Sequence, residues 1–195
     1  IRHAGLPVPP HIRPKKKTPR RRSPLTTSEV RRIIACLPPE TQAMGEFAAL
    51  TGMRIGELLG LRPEDIDGDV VWVRRQRRAG RHNIGPPKSE AGVRPVVIGP
   101  RARALLGTGE WCFPLSYRKA EDDMHRALRR AGLYQHGMGW HILRHYNAAM
   151  RERAGQGLRG AQAELGHSEL SQTLSYGWGE ASVETAVRLE DHFQE

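Results

Sequence analysis

The sequence predicts a mainly helical domain with one small antiparallel β-sheet, an α+β fold. Apolar residues recur at helical spacing through most of the chain beyond residue 25. Two short runs rich in β-branched residues, 70–73 and 93–98, predict strands that pair across a polar connection. Hydrophobic residues make up 38% of the chain, as in an ordinary globular domain, and no apolar run reaches the ~18–20 residues of a membrane span.

The first helix is predicted to begin after Thr26. The Thr26 hydroxyl and the Glu29 carboxylate can form a capping box, in which each accepts from a backbone N–H that the helix leaves free. The apolar side of this helix consists of Val30, Ile33, Ile34 and Leu37. Pro38-Pro39 should end it, because proline has no N–H to donate. A second helix over 40–51 should stop at Gly52, since glycine readily adopts the left-handed conformation of a helix C-terminus.

The later elements follow from the same reasoning. A short helix is predicted from Ile55 to Leu61, and a connection punctuated by Gly and Pro, from Arg77 to Pro87, joins the two strands. Further helices are predicted at 119–131, 141–153, 158–165, 169–176 and 182–194. Ser182 can cap the last helix, whose apolar stripe consists of Val183, Ala186, Val187, Leu189 and Phe193.

Positive charge is concentrated at the start of the chain. The formal net charge is +10, and residues 1–25 hold eight Lys and Arg and no acidic residue. This Pro-rich segment is predicted to be a linker or arm. Its charge favours nucleic acid as the partner, because Lys and Arg neutralise phosphates and release counterions, although a solvated arm without contacts is the alternative. The residues predicted to contact DNA are Lys15, Lys16, Lys17, Arg20, Arg21, Arg22, Arg77 and Arg78.

The chain has two cysteines, Cys36 and Cys112, and no Cys-x-x-Cys motif. Neither a disulfide framework nor a cysteine zinc site is therefore expected. This usage is typical of a reducing cytoplasm, and we expect the protein there. The chain begins with Ile1 rather than Met, so we expect a fragment or a processed product of a longer protein.

A basic residue follows a glycine turn in Thr51-Gly52-Met53-Arg54. Arg54 is predicted at the start of the short helix, where a side chain can share an anion with free backbone N–H groups. Glu57 lies one turn further on the same face and is expected to pair with Arg54 and fix its geometry. The alternative is an ordinary surface salt bridge.

A second cluster of polar residues begins the helix at 141. His141 and Arg144 share one face, three residues apart. His141 and His145 have a spacing that could bind zinc, but no Glu follows the first His, so we expect no metal site. The remaining candidates are Lys88 at the tip of the predicted hairpin, His167 in Leu-Gly-His, and Tyr176.

Together these side chains suit phosphoryl transfer without a metal or another cofactor. The set comprises Arg54, Lys88, His141, Arg144, His167 and Tyr176. Fixed cations stabilise the charge that builds on a phosphodiester in the transition state. A tyrosine phenol, with a pKa of about 10, needs a positive site and a base to attack at neutral pH.

This set resembles that of the tyrosine recombinase (phage integrase) family. The resemblance rests on the order Gly-x-Arg-x-x-Glu, hairpin Lys, His-x-x-Arg, Leu-Gly-His and Tyr, and it covers about residues 25–180. It implies the fold of a tyrosine recombinase catalytic domain, with a small three-stranded sheet, and an enzyme that cuts and rejoins specific DNA sites. The sequence departs from the family pattern after His145, where the run is Tyr146-Asn147-Ala148.

The resemblance also implies a role for each residue. Tyr176 would attack a DNA phosphate and form a 3′-phosphotyrosyl link, while Lys88 protonates the departing 5′-oxygen. The two arginines would clamp the non-bridging oxygens. His141 would accept or relay the tyrosine proton, and His167 would hydrogen-bond the phosphate. We expect loss of Arg54 to endanger folding more than loss of Arg144, because Glu57 would lose its partner.

Two alternatives remain open, namely DNA relaxation by a type IB topoisomerase-like enzyme and a catalytically silent DNA-binding module. An enzyme that only relaxes DNA needs no partner protomers. A silent binding module would have at least one catalytic residue replaced, whereas this sequence keeps the whole set. We expect a homo-tetramer on double-stranded DNA and no membrane association. The chain divides into an arm (1–25), a catalytic domain (26–181) and a C-terminal helix (182–195), which either packs into a neighbouring protomer or folds back on its own domain.

Overall fold

In the computed structural model, the described residues are 24–80, 84–87, 92–154 and 180–194. The helices are α1 (Thr27–Ala35), α2 (Pro39–Thr51), α3 (Ile55–Leu59), α4 (Pro100–Ala104), α5 (Tyr117–Arg130), α6 (His141–Arg153) and α7 (Glu180–Gln194), with a 3₁₀ turn at Pro63–Asp65. The strands are β1 (Ile66–Asp67), β2 (Val70–Val73), β3 (Gln76–Arg77), β4 (Ile84–Gly85) and β5 (Arg94–Val97). The fold is mainly helical with small antiparallel sheets, as predicted.

The capping box that predicts the start of α1 is present. The Thr26 N–H donates to Glu29 Oε2 at 2.8 Å, and the Glu29 N–H donates to the Thr26 hydroxyl at 3.3 Å. Pro39 is the first residue of α2, where a missing N–H costs no helical bond, so the proline pair ends one helix and begins the next. α2 ends at Gly52, whose φ of 68° is left-handed.

The larger sheet has three strands in the order β1-β2-β5, with Val73 opposite Arg94. The stretch 77–87, predicted as a plain connection, was interpreted incorrectly. Gln76 pairs with Gly85 and Arg77 with Ile84, so β3 and β4 form a separate two-stranded ribbon. Strands of two residues are too short to carry the alternation by which a sequence pattern identifies a strand.

The core lies between the helices and the sheet, with α2 at its centre. α2 contacts α1, α3, α4, α6 and α7. The fully buried side chains of this core include Phe47, Leu58, Met124, Leu128 and Leu143. Close packing of this kind fixes the relative positions of α2, α3 and α6.

The C-terminal helix α7 packs on its own chain, against α2, α4, α6 and β5. Its buried apolar residues are Ala186, Leu189 and Phe193. Val187, expected in the apolar stripe, is 36% exposed, and Glu190 is buried instead. The Glu190 carboxylate accepts from the N–H groups of Arg101 at 3.1 Å and Ala102 at 2.8 Å, which the first turn of α4 leaves without helical partners. Packing into a neighbouring protomer stays a prediction.

Within the described part of the chain, no helix is both long and apolar enough to cross a membrane. The predicted helices at 158–165 and 169–176 and residues 1–23 of the arm lie outside the described residues. The division into arm, catalytic domain and terminal helix likewise stays a prediction.

Candidate active site

Arg54 lies at the turn between α2 and α3, directly before the first residue of α3. Its backbone N–H donates to Glu57 Oε2 at 3.0 Å, and its guanidinium Nη1 donates to Glu57 Oε1 at 2.9 Å. The Arg54 side chain is 36% exposed, whereas that of Glu57 is 2% exposed. The carboxylate therefore holds the guanidinium from its buried side and leaves it accessible to a ligand.

A second arginine, Arg94 of β5, was not predicted from the sequence. The Arg94 guanidinium makes two hydrogen bonds to Glu57, from Nη1 to Oε1 at 3.1 Å and from Nη2 to Oε2 at 2.9 Å. Burial acts to raise the pKa of Glu57, but the hydrogen bonds and charge of Arg94, followed by those of Arg54, hold that pKa below its usual 4.5. Glu57 is thus an ionised carboxylate shared by two arginines.

Arg144 lies on α6, one turn after His141. It is buried, and its Nη1 donates to the carbonyl oxygen of Gly52 at 2.8 Å. Burial, followed by the charges of Arg54 and Arg94, lowers the pKa of Arg144 to about 10, so the guanidinium stays protonated at neutral pH. The Arg144 guanidinium therefore lies close enough to those of Arg54 and Arg94 for their charges to lower its pKa.

Asn147 fastens α6 to the end of α2. Its amide N–H groups donate to the carbonyls of Ala49 at 2.9 Å and Leu50 at 2.7 Å, in the last turn of α2, where carbonyls lack helical partners. The amide oxygen accepts from Arg151 Nε at 2.8 Å. Asn147, which departs from the family pattern, thus holds α6, and with it Arg144, against the end of α2 that leads to Arg54.

His141 is held in a positive environment. Its pKa is lowered from the usual 6.5, first by desolvation and then by the positive side chains around it, which are Arg144, His145 and Arg54. The residue is exposed, so solvent screens part of these charges. Glu57 acts in the opposite direction. A histidine that is neutral at neutral pH can accept a proton.

Positive charge is concentrated at this site, where in the described part of the chain Arg54 and Arg94 both bind Glu57 and Arg144 lies near them. Fixed positive groups at a partly exposed position suit an anion, and they stabilise charge that develops on it during a reaction. The imidazoles of His141 and His145 have their centroids 6.2 Å apart. Among the residues with described positions, no three His, Cys, Asp or Glu side chains converge as a metal site.

The structure brings together Arg54, Glu57, His141 and Arg144 of the predicted site. The predicted residues that lie outside the described part of the chain are Lys88, His167, Tyr176, Lys15, Lys16, Lys17, Arg20, Arg21 and Arg22. The Arg77 guanidinium lies over the Trp111 ring, 5.0 Å from its centroid, and donates to the Leu115 carbonyl at 3.3 Å, whereas Arg78 is exposed.

Comparison with known proteins identifies the family. The model of the phage integrase family matches residues 23–178. The chain belongs to the phage integrase family. The tyrosine recombinase XerD of Mycobacterium leprae is 29% identical over 196 residues, an alignment that covers 88% of this chain and 61% of that protein. The chain spans between 47% and 61% of the length of XerC and XerD relatives that it matches.

Solved structures of integrases share the fold. The integrase from mycobacterium phage Brujita aligns with a TM-score of 0.66 at 22% identity, over 89% of this chain and 60% of that chain. A lambda integrase (75-356) dimer bound to a COC' core site aligns with a TM-score of 0.54 at 23% identity, over 83% of this chain and 62% of that chain. These likenesses confirm the predicted fold class, that of a tyrosine recombinase catalytic domain.

Proposed function

We propose that this chain is the catalytic domain of a site-specific recombinase that cuts and rejoins double-stranded DNA through a 3′-phosphotyrosyl intermediate. The observation that carries the proposal is that Arg144, one turn after His141 on α6, donates to the carbonyl of Gly52 in the turn that leads to Arg54. This arrangement lies in a member of the phage integrase family. Membership in this family favours recombination over topoisomerase-like relaxation and over a silent binding module.

In the proposed reaction the Tyr176 oxygen attacks phosphorus and the bond from phosphorus to the 5′-oxygen breaks. His141, whose pKa is lowered, takes the phenol proton, and Lys88 gives a proton to the departing 5′-oxygen. Arg54 and Arg144 neutralise the non-bridging oxygens, and His167 hydrogen-bonds the phosphate. A 5′-hydroxyl of the partner strand then attacks the phosphotyrosyl link, so the bond energy is conserved and no cofactor is required.

The proposed partner is double-stranded DNA, bound by a homo-tetramer. The lambda integrase of similar fold is a dimer on its core site, which supports assembly on DNA. Six Lys and Arg of the arm, at 15–17 and 20–22, are proposed to contact phosphates together with Arg77 and Arg78. We also propose a cytoplasmic location, in keeping with Cys36 and Cys112, which form no disulfide.

Exchange of the C-terminal helix (182–195) between protomers is proposed for the tetramer. In the single chain, exchange has to release the Glu190 carboxylate from α4 and the Phe193 carbonyl from Arg31 Nε, which donates to it at 2.6 Å. Truncation after Gly179 should leave a protein that binds DNA but assembles and recombines poorly. Sedimentation of the DNA complex checks this, and unchanged assembly and recombination of the truncated chain would contradict it.

A nicked suicide substrate tests the proposed chemistry, because loss of the short 5′-fragment traps the covalent protein–DNA adduct. Tyr176→Phe should keep DNA binding and abolish the adduct, since only the nucleophilic oxygen is removed. Tyr134→Phe is the matched control, because Tyr134 is an exposed tyrosine of the same domain and should leave the adduct unchanged. An adduct that persists in Tyr176→Phe, or a strict requirement for a divalent metal, would contradict the proposal.

A further inference from the structure

The chain immediately before α6 is fastened to α5 by two side chains. The Trp140 indole is buried, and its Nε1 donates to the carbonyl oxygen of Ala120 at 2.9 Å. The Nε2 atom of His125 lies 3.1 Å from the carbonyl oxygen of Met138. A carbonyl oxygen can only accept, so His125 Nε2 carries the hydrogen and donates it. The partners are 20 and 13 positions apart in sequence, so both bonds depend on how the fold brings α5 and this segment together.

His141 follows this fastened segment directly and is the first residue of α6. Trp140 has a φ of −52° and a ψ of −27°, which are helical values. An ordinary N-cap residue is extended, and its side chain holds the first turn of the helix. The Trp140 side chain binds α5 instead. Since His141 is exposed, the fold acts mainly on its backbone, whose position depends on the contacts of Trp140 and Met138 with α5.

α5 is itself fixed to the helices on the other side of the site. The buried Asp123 carboxylate, one turn after Ala120 on α5, accepts from the Thr41 hydroxyl of α2 at 2.6 Å. α5 also contacts α3, the helix that Arg54 precedes. The carbonyl that accepts from Trp140 therefore belongs to a helix whose position relative to Arg54 is set by direct contacts.

We infer that Trp140 and His125 are positioning residues for the DNA cleavage reaction, because they hold the backbone from which His141 reaches the site. The inference rests on the proposed function, in which His141 takes the phenol proton of Tyr176. A general base works only within hydrogen-bond reach of the proton that it takes, and a displacement of about 1 Å can cost a large factor in rate. Trp140 is buried and so acts through His141 rather than on the DNA.

Single-turnover cleavage of a suicide substrate by the full chain tests the inference, at a temperature where thermal unfolding shows each variant to be folded. Trp140→Phe removes the indole N–H and keeps an aromatic ring. His125→Leu removes the second donor, whereas His125→Gln keeps an N–H that can reach the Met138 carbonyl. Trp72→Phe is the matched control, because Trp72 is a half-buried tryptophan of β2.

We expect Trp140→Phe and His125→Leu each to cleave about 10-fold more slowly. This is less than the contribution of a general base, typically about 10²–10⁴-fold, since a displaced base costs less than a missing one. His125→Gln and Trp72→Phe should cleave at close to the wild-type rate. In a His141→Ala background, neither Trp140→Phe nor His125→Leu should slow cleavage further by more than about 2-fold, because the group that they position is gone.

The same two variants should raise the pKa of His141 toward its usual 6.5, because a displaced imidazole is less desolvated and lies further from the positive charges. The charged groups that act on it are Arg144 and His145 of α6 and Arg54 and Glu57 on the side of α3, and the variants alter none of them. NMR titration of the ring without DNA measures this pKa, with the His141 signal assigned from its loss in His141→Ala.

Defects that are equally large with and without the His141 side chain, or no defect at all, would overturn the inference and leave Trp140 and His125 as contacts that only stabilise the fold. If Trp140→Phe fails to fold, the comparison of His125→Leu with His125→Gln still decides. An unchanged pKa of His141 in the folded variants would overturn the inference as well. Failure of the proposed function looks different, because the wild-type chain then forms no adduct, while the titration still decides whether the two contacts position His141.

Discussion

The two sides of the site hold their arginines in different ways. On the side of α3 and the sheet, Arg54 is 36% exposed and is bound by a buried carboxylate that Arg94 also binds. On the side of α6, Arg144 is buried and donates to a backbone carbonyl, that of Gly52. One arginine is anchored by charge at the surface of the domain, and the other by burial against the end of α2.

This difference reverses an expectation drawn from the sequence. Glu57 does not depend on Arg54, because Arg94 keeps both of its hydrogen bonds to the carboxylate when Arg54 is removed. The removal of Arg144, in contrast, leaves the Gly52 carbonyl without this donor and empties a buried volume. Loss of Arg144 should therefore cost more folding stability than loss of Arg54, although both should slow cleavage.

The largest effect on stability is expected for Glu57→Gln. The substitution removes the negative charge that the buried Arg94 guanidinium binds through both carboxylate oxygens. Loss of one charge from comparable buried pairs costs about 3–5 kcal/mol. The free energy of unfolding, from urea titration at pH 7, measures it. A loss below about 1 kcal/mol would show that the pair on the sheet side contributes little to stability.

Arg144→Ala should lower the free energy of unfolding by about 1–3 kcal/mol, the usual cost of a buried polar group without its partner. Cleavage should fall by on the order of 10²–10³-fold, since one donor to the transition state is lost. Urea titration and single-turnover cleavage on a suicide substrate report the two effects separately. An unchanged free energy of unfolding would mean that the fold tolerates the cavity that the Arg144 side chain leaves next to α6.

Arg54→Ala should slow cleavage by a similar factor, on the order of 10²–10³-fold. Its stability should change by less than about 1 kcal/mol, because the pair is partly exposed and Glu57 keeps Arg94. The same two measurements apply. An unfolding free energy lower than that of Arg144→Ala would reverse the comparison between the two sides.

The smallest expected effect is a shift in the pH dependence of cleavage. Because the pKa of His141 is lowered from its usual 6.5, the imidazole stays neutral at pH 6.5 and at somewhat lower pH. The rate of cleavage should fall only at still lower pH, where the imidazole becomes protonated and can no longer accept a proton. Arg144→Ala should raise the pKa of His141 more than Arg54→Ala does, since Arg144 is the larger of the two influences. NMR titration of the His141 ring, made without DNA, checks the order. If Arg54→Ala raises the pKa of His141 as much as Arg144→Ala does, or more, Arg144 is not the stronger influence on His141 and the prediction is wrong.

Much of the site could be predicted from the sequence because its signals are local. The capping residues Thr26 and Gly52 define the ends of helices, and the spacing of Arg54 with Glu57 and of His141 with Arg144 places each pair on one helix face. Arg94 could not be assigned this way, because its partner Glu57 lies 37 residues away in sequence. The available signal was a charge inside an apolar strand, which requires a buried partner.

Asn147 and Glu190 were missed for the same reason. Each satisfies backbone groups at the end of a helix that is distant in sequence, the carbonyls of α2 for Asn147 and the N–H groups of α4 for Glu190. A helical pattern predicts which residues face the core by their hydrophobicity. It therefore assigns a polar side chain to the surface even where the fold needs it inside.

The central claim is that Arg54 and Arg144 neutralise the same phosphate from the two sides of the site. Cleavage of a substrate whose scissile phosphate is a methylphosphonate tests it most directly, because this group lacks one negative oxygen. The account predicts that Arg54→Ala and Arg144→Ala both cleave the methylphosphonate much faster, relative to the wild-type chain, than they cleave the ordinary phosphate. If either variant is equally defective on both substrates, that arginine does not act on the phosphate charge, and the claim is contradicted.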